Sequence, residues 1–424
     1  MPVRTALLSA ATGVLVTNLF ATQLVIAEIA AGLDMAIASA GLVPMLTMLG
    51  YACGLVFVLP LIDKFENRRL MLVTLAASVL ALAMAASAPG RVSLLTAAFL
   101  VGATSCGLQM IVVMAATLSS EAQRGRVIGS VMSGLMLGVL LSRPAGSLIA
   151  GALGWRAVYA TSAIAVAILM MPLARSLPVC RPQLPVGYFE SLASLLPLVT
   201  REPVLRRRAT YQALLMFSFT CFWTAVAWHL AQPPFHLGSH GIALFALAGA
   251  AGVIIAPAAG RAGDRGLTRA ATLWAHLAVI AGLALAALTT GVSSSLPVEL
   301  SLLALVAAAV LVNLGGVADQ ALGRRAVNMI RPEARGRVNG LFTGSFFVGG
   351  ALGAALAGPA WAAGGWIGVC AIAAVPAVLA CALRLTERDC EPQERVARDR
   401  PSRQAFKSPV FAEARRRAER SGSH

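Results

Sequence analysis

The sequence predicts an all-α integral membrane protein with twelve transmembrane helices in two pseudo-symmetric six-helix bundles. Three observations lead there. Of 424 residues, 58% are hydrophobic and only 12% charged, against about one quarter charged in soluble domains, and the mean hydropathy is +0.79. Apolar stretches long enough to cross a bilayer occupy most of the chain. The cations, 34 Lys+Arg against 18 Asp+Glu for a net charge of +16, gather at alternate breaks between those stretches.

About 20 apolar residues span roughly 30 Å of hydrocarbon, and the stretches are read on that rule. Span one (6–31) follows Arg4; its length exceeds the apolar core of a cleavable signal peptide, so it is retained as a helix. Span two (39–62) stops at Asp63-Lys64, and span three (70–88) runs from Arg69 to Pro89-Gly90. Span four (92–118) starts after Arg91, and span five (127–150) after Arg124-Gly125-Arg126. Span six (155–174) opens on Trp155 and closes at Arg175. After a polar break at 175–208, span seven (209–232) runs to Pro233-Pro234 and span eight (239–260) to Arg261. Span nine (270–290) follows Arg269, and span ten (297–322) ends before Arg324-Arg325. Span eleven (338–360) follows Arg335-Gly336-Arg337, and span twelve (365–385) opens on Gly365-Trp366. The segments are apolar all round. The ten-residue alternating strands of an outer-membrane barrel are not their pattern.

With the N-terminus inside, the inner loops hold nineteen cations and the outer loops only Arg91 and Arg156. That bias predicts a multi-pass inner-membrane protein with both termini cytoplasmic. It also assigns the basic residues to orientation rather than to nucleic acid. The seven cysteines form no CxxC pair and mostly sit inside spans, as small core residues do. The chain divides into an N-terminal bundle (1–174), a central loop (175–208) with a surface-helix candidate at Tyr188–Val199, a C-terminal bundle (209–385) and a mixed-charge tail (386–424) with one possible helix at Pro409–Arg420.

The halves echo each other. Arg124-Gly125-Arg126-Val127 recurs as Arg335-Gly336-Arg337-Val338, 211 residues on. At the same offset Gly129 and Gly138 return as Gly340 and Gly349, and Gly154-Trp155 as Gly365-Trp366. Parallel repeats about an axis along the membrane normal are a transporter architecture.

In this frame two loop motifs carry a resemblance. Between spans two and three stands Leu59-Pro60-Leu61-Ile62-Asp63-Lys64-Phe65-Glu66-Asn67-Arg68; between spans eight and nine stands Gly260-Arg261-Ala262-Gly263-Asp264-Arg265-Gly266-Leu267-Thr268-Arg269. Over about residues 5–385 the chain resembles the major facilitator superfamily, whose signature in these loops is G-x-L-A-D-R-x-G-R-R/K. The first copy keeps Leu61, Asp63 and Arg68 but lacks both glycines; the second keeps Gly260, Asp264, Arg265 and Arg269. The Gln23 region, the Arg-Gly-Arg loop and Ser142-Arg143-Pro144 look like bacterial members of the drug:proton antiporter branch. The span-five element of those antiporters, G-P-x-x-G-G, is only approximated by Arg143-Pro144-Ala145-Gly146. The resemblance implies a cytoplasmic gate of Asp63, Lys64, Arg68, Arg124, Asp264, Arg265 and Arg269. In it Asp63 faces span eleven near Val338, and Asp264 faces span five near Val127.

Charges in hydrocarbon are costly and therefore functional candidates. Three are found: Glu28 in span one, Arg143 in span five and Asp319 in span ten. Glu28 and Arg143 share outer-half depth and form the candidate coupling pair. Asp319, within a turn or so of its span's end, reads as interfacial. The resemblance places spans one, four, seven and ten around a central cavity, which makes Asn18, Gln23, Gln109, Asn313 and Gln320 substrate-site candidates together with Arg143 and Trp223; Trp228 reads as an interface-belt residue. Neither lysine follows a glycine, so the chain lacks a nucleotide-binding phosphate loop. It also lacks HExxH, G-x-S-x-G and any Cys/His cluster. No enzyme activity, cofactor or metal is expected. The expected function is secondary transport by alternating access, in a monomer: proton-coupled efflux of small, amphiphilic compounds, with proton-coupled uptake of an organic anion or sugar as the alternative.

Overall fold

The computed structural model describes residues 2–179, 188–193, 195–291, 297–330 and 335–387, all of them helix, turn or loop with no strand. Eleven helices are long and apolar enough to cross a membrane. The last of them, Gly336–Leu385, has 50 residues, about 75 Å at 1.5 Å per residue and twice a bilayer core. It breaks where Gly364 leaves helical geometry and Gly365 adopts φ 57°. The parts on either side are spans eleven and twelve, so twelve crossings result. Gly154, the duplicate of Gly365, likewise adopts φ 82° between spans five and six. A side chain is disfavoured in that region, which is why each half turns on a glycine followed by a buried tryptophan, Trp155 or Trp366.

Two predicted boundaries shift, with consequences below. Span one is helical over Pro2–Phe20, tightens to a 3-10 turn at Ala21–Leu24 and restarts as a separate helix at Ile26–Gly32. Span ten runs Val298–Asn328, six residues past its expected end. The central loop carries short helices at Tyr188–Ala193 and Leu195–Arg201, the former tied to span two by the Tyr188 hydroxyl donating to the Phe57 carbonyl at 3.0 Å. The expected helix at 409–420 lies outside the described residues, as do Cys180 and Cys390. The other five cysteines are free.

Within each half, small residues let backbones touch. A side chain at Gly138 would overlap the carbonyl of Gly13 in span one, and one at Gly349 would overlap that of Ala213 in span seven. Spans one and five are thereby held as tightly as seven and eleven. Between halves, contacts concentrate toward the arginine-poor end. Gly41 and Gly358 meet backbone across the span two–eleven seam, and the Ser147 hydroxyl donates to the Ser239 carbonyl at 3.0 Å between spans five and eight. Toward the arginine-rich end, Gly125 and Gly129 in span five and Gly336, Gly340 and Gly344 in span eleven face open space. The described bundle is closed at one end and open at the other.

Candidate functional site

At the closed side of the opening, Arg143 lies 3% exposed between the halves. Its Nε donates to Gln23 Oε1 at 2.9 Å, a contact made possible by the 3-10 turn that swings Gln23 inward. Three aromatic rings surround the guanidinium: Phe20 of span one at 5.2 Å, and Phe219 and Trp223 of span seven at 5.2 and 4.7 Å from their centroids. A desolvated cation–π contact contributes on the order of 1–2 kcal/mol, so three of them offset part of the cost of burying the charge. Since an arginine only donates, Gln23 must present its oxygen to Arg143 and direct its amide nitrogen elsewhere.

What remains unpaired on the guanidinium and its nearest partners is a set of donors. Arg143 Nη2, Gln23 Nε2 and Trp223 Nε1 are buried N–H donors without an acceptor. Asn18, one turn before the break in span one, is 5% exposed with both amide atoms unpartnered. Trp223 is fully enclosed, its indole edge-on to Phe222 and tilted to Phe219 and Phe245. Gln23, Arg143 and Trp223 are thus brought together, with Phe20 and Phe219 completing the cage.

The other predicted residues stand apart. Gln109 donates to the Tyr51 hydroxyl at 3.3 Å, and Tyr51 packs edge-on to Phe347 of span eleven at 4.4 Å, which ties spans four, two and eleven together. Asn313 returns its amide to Ala309 of its own helix at 2.7 Å, and Gln320 is half-buried on span ten. The expected pairing of Glu28 with Arg143 is not formed. The break at Ala21–Leu24 redirects the segment carrying Glu28, which is left exposed while Arg143 is enclosed. Trp228 is not at an interface belt: it is 4% exposed and packs edge-on to Trp361 at 5.7 Å.

Among the described residues, the gate candidates do not converge in this conformation. The side chain of Asp63 lies outside the described residues, and Arg124 and Arg265 are exposed. Lys64 lies over the Phe65 ring at 5.6 Å, and Arg68 donates to the Ala174 carbonyl at 2.5 Å. Arg269 donates to the Glu387 carbonyl at 3.0 Å. Asp264 pairs at 2.9 Å with Arg325 of its own half rather than with span five.

Sequence reasoning also misplaced Asp319. It is 1% exposed and lies 3.2 Å from Nε2 of His276, itself fully enclosed, so the pair joins spans nine and ten inside the second bundle. The signal was available: His276 and Asp319 fall at similar distances from the arginine-rich ends of adjacent spans.

Comparison with known proteins agrees with this architecture. The family model of the Major Facilitator Superfamily matches residues 6–304 and 279–418. The uncharacterized transporter YgaY of Escherichia coli O157:H7 is 33% identical over 378 residues, covering 89% of this chain and 94% of that protein. The probable transporter SCO4007 of Streptomyces coelicolor (strain ATCC BAA-471 / A3(2) / M145) is 32% identical, covering 78% of this chain and 75% of that protein. Among solved structures, the nucleoside transporter NupG superimposes with a TM-score of 0.72 at 14% identity, over 91% of this chain and 100% of that one. A bacterial homologue of the human lysosomal transporter Spinster, inward-facing and occupied, superimposes with a TM-score of 0.70 at 14% identity, over 91% and 96%. Twelve crossings, a duplicated six-helix plan and these matches lead to one conclusion: the chain belongs to the Major Facilitator Superfamily and is a multi-pass membrane transporter.

Proposed function

We propose that the protein is a proton-coupled secondary transporter of small, amphiphilic organic anions in the inner membrane, with Arg143 as the substrate-binding cation. The observation that carries this reading is the set of unpaired groups around Arg143. Arg143 Nη2, Gln23 Nε2 and Trp223 Nε1 are all donors, and no carboxylate among the described residues pairs with the guanidinium. A carboxylate or sulfonate supplies the missing acceptors with charge-assisted geometry. Phe20, Phe219 and Trp223 supply an apolar, aromatic surface for the remainder of the molecule.

Sidedness follows from the nineteen-to-two partition of cations. The arginine-rich end is cytoplasmic, so the described conformation is inward-open. Arg143 from one half is enclosed by Phe219 and Trp223 from the other. Opening to the outside therefore pulls the cage apart, and the substrate loses its site as the gate swings. Export is the direction favoured by the span-five likeness to drug:proton antiporters, at Arg143-Pro144-Ala145-Gly146.

The test is a thermal-stability screen of the purified protein against matched aromatic carboxylates, sulfonates, neutral amides and amines. Anions stabilise the fold by mass action, about 2.7 kcal/mol at one hundred times Kd, and Arg143→Gln removes the shift. Equal stabilisation by the neutral or cationic analogues overturns the reading. Counterflow of the best anion in right-side-out and inverted vesicles then separates export from uptake.

A further inference from the structure

The second bundle holds a polar cluster for which the substrate site has no use. His276 lies eight residues into span nine, which starts at Thr268, and Asp319 lies nine residues before the end of span ten at Asn328. Both are about 12–14 Å from the same membrane face. Asp319 is the one acidic residue enclosed within a span among the described residues, at 1% exposure, and His276 has none. A carboxylate at that depth costs several kcal/mol unless it is paired. Here its partner is an imidazole, the side chain whose charge changes most readily near neutral pH. His276 Nδ1 has no hydrogen-bond partner.

The surroundings are charged on one side only. From span seven, Tyr211 meets the imidazole edge-on at 5.4 Å, and Arg208, 1% exposed, donates to Thr272 Oγ1 at 3.0 Å, one turn from His276 on the same face of span nine. Farther toward that membrane face, Glu387 is held by Arg384 at 3.0 Å and by Arg207 at 3.7 Å. Span eleven contributes Phe342, packed on Gly323 of span ten, and span eight contributes Gly252 against Val317; neither adds a titratable group. The fold itself does not need polarity here. Moved back by the offsets of the two repeated loops, 201 for Asp63 and Asp264 and 211 for the Arg-Gly-Arg motif, the two positions fall on Leu75 and Leu108, both buried.

We propose that the His276–Asp319 pair is the site that takes up and releases the coupling proton. The inference rests on the reading of the chain as proton-coupled, and it moves coupling away from the exposed Glu28. One proton added to the pair converts imidazole–carboxylate into imidazolium–carboxylate and raises the charge of the cluster by one. The consequence reaches the substrate cage through contact. Gly315 packs its backbone on Ala275 beside His276, Gly316 meets the ring of Phe219, and that ring covers the Arg143 guanidinium at 5.2 Å. A shift of span ten that rebalances the pair thus acts on one wall of the cage.

The experiment needs no substrate, only protons. Infrared difference spectra and backbone hydrogen exchange of the purified full-length chain, corrected for intrinsic rates, are recorded from acidic to alkaline pH. In the wild type, acidification produces imidazolium signals and a shifted carboxylate band together with altered exchange at the cytoplasmic ends of spans five and eleven. Asp319→Asn and the apolar double variant His276→Leu/Asp319→Leu, which removes the pair without leaving a buried charge, lose both responses, while Glu28→Gln keeps them. A wild type whose exchange does not respond to pH overturns proton coupling itself. A response that persists unchanged in Asp319→Asn and in the double variant overturns this site alone.

Discussion

The two halves of the molecule share a scaffold and differ in chemistry. Gly138 and Gly349 stand 211 residues apart and do the same work, each admitting a carbonyl of the neighbouring helix where a side chain would overlap it. Gly154 and Gly365 both take positive φ to turn the chain. The functional groups are not duplicated. The position 211 residues beyond Arg143 is Ala354, fully buried against span two, and the positions matching His276 and Asp319 are the leucines Leu75 and Leu108. Packing that closes helices onto one another was retained in both copies. The cage around Arg143 takes its cation from the first half and most of its aromatic wall from the second, whereas the buried ionisable pair belongs to the second alone. On the proposed reading, a transporter divided in this way would bind substrate across its seam and hold its proton inside one wall.

The scaffold half of this comparison breaks first and hardest. Gly138→Val and Gly349→Val each force a branched side chain into a facing backbone carbonyl, and overpacking of this kind costs about 3 kcal/mol or more. Both variants are expected to lose the folded protein, read as loss of a monodisperse peak and of the thermal transition in detergent. Collapse of one variant and survival of the other would break the equivalence of the span one–five and seven–eleven contacts.

Making the second half resemble the first tests its chemistry. Asp319→Leu alone leaves His276 facing an apolar side chain and disturbs the balance around Arg208; removing one partner of a buried pair costs about 3–5 kcal/mol. The double variant His276→Leu/Asp319→Leu copies Leu75 and Leu108. Replacing a buried pair by apolar residues is neutral or stabilising by about 1–4 kcal/mol, so it is expected to melt at or above the wild type. A double variant as unstable as the single one would mean that the pair holds the fold together. Turning to the first half, Arg143→Ala installs the residue that the second half carries at 354. It is expected to leave the melting temperature intact while weakening binding of the anionic probe by about 10- to 150-fold, the equivalent of losing a charged hydrogen bond of 1.5–3 kcal/mol.

The membrane made most of the fold legible in the sequence. Every crossing must be apolar for its full length, so the twelve spans and the glycine repeats could be read directly, and Arg143 stood out because few charges lie so deep. Of its neighbours, Gln23 and Trp223 were also candidates, but Phe20, Phe219 and the contacts themselves could not be read. Phe20, Gln23, Phe219 and Trp223 come from two other helices, and the contact with Gln23 depends on a 3-10 turn that hydropathy does not register. Local geometry also explains two of the errors. The same turn carried Glu28 away from Arg143. Asp319 reads as interfacial from sequence because apolarity fades near 322; the helix continues through Arg324 and Arg325 to Asn328. Those six residues add about 9 Å of depth and bring Asp319 level with His276.

The smallest expected effect lies at the arginine-rich surface, where the loop signature is repeated but the exposure of its second copy limits its energy. Asp264 is 72% exposed and its partner Arg325 32% exposed, with Nε donating to Oδ1 at 2.9 Å. Water and salt screen such a pair, and pairs of this kind contribute about 0–1 kcal/mol. Asp264→Asn is therefore expected to change stability by less than about 1 kcal/mol, and the difference should shrink further in molar salt. Both can be read from paired thermal melts. A larger, salt-insensitive loss would mean that Asp264 is held by more than Arg325, as the family latch against span five requires in the outward-open state. Repeating the measurement with Asp63→Asn then asks whether the halves differ at their gates as they do in their cores. Equal, small losses leave the two loops interchangeable. A loss confined to Asp63, the copy lacking both signature glycines, would place the working latch in the first half and extend the asymmetry of the molecule to its surface.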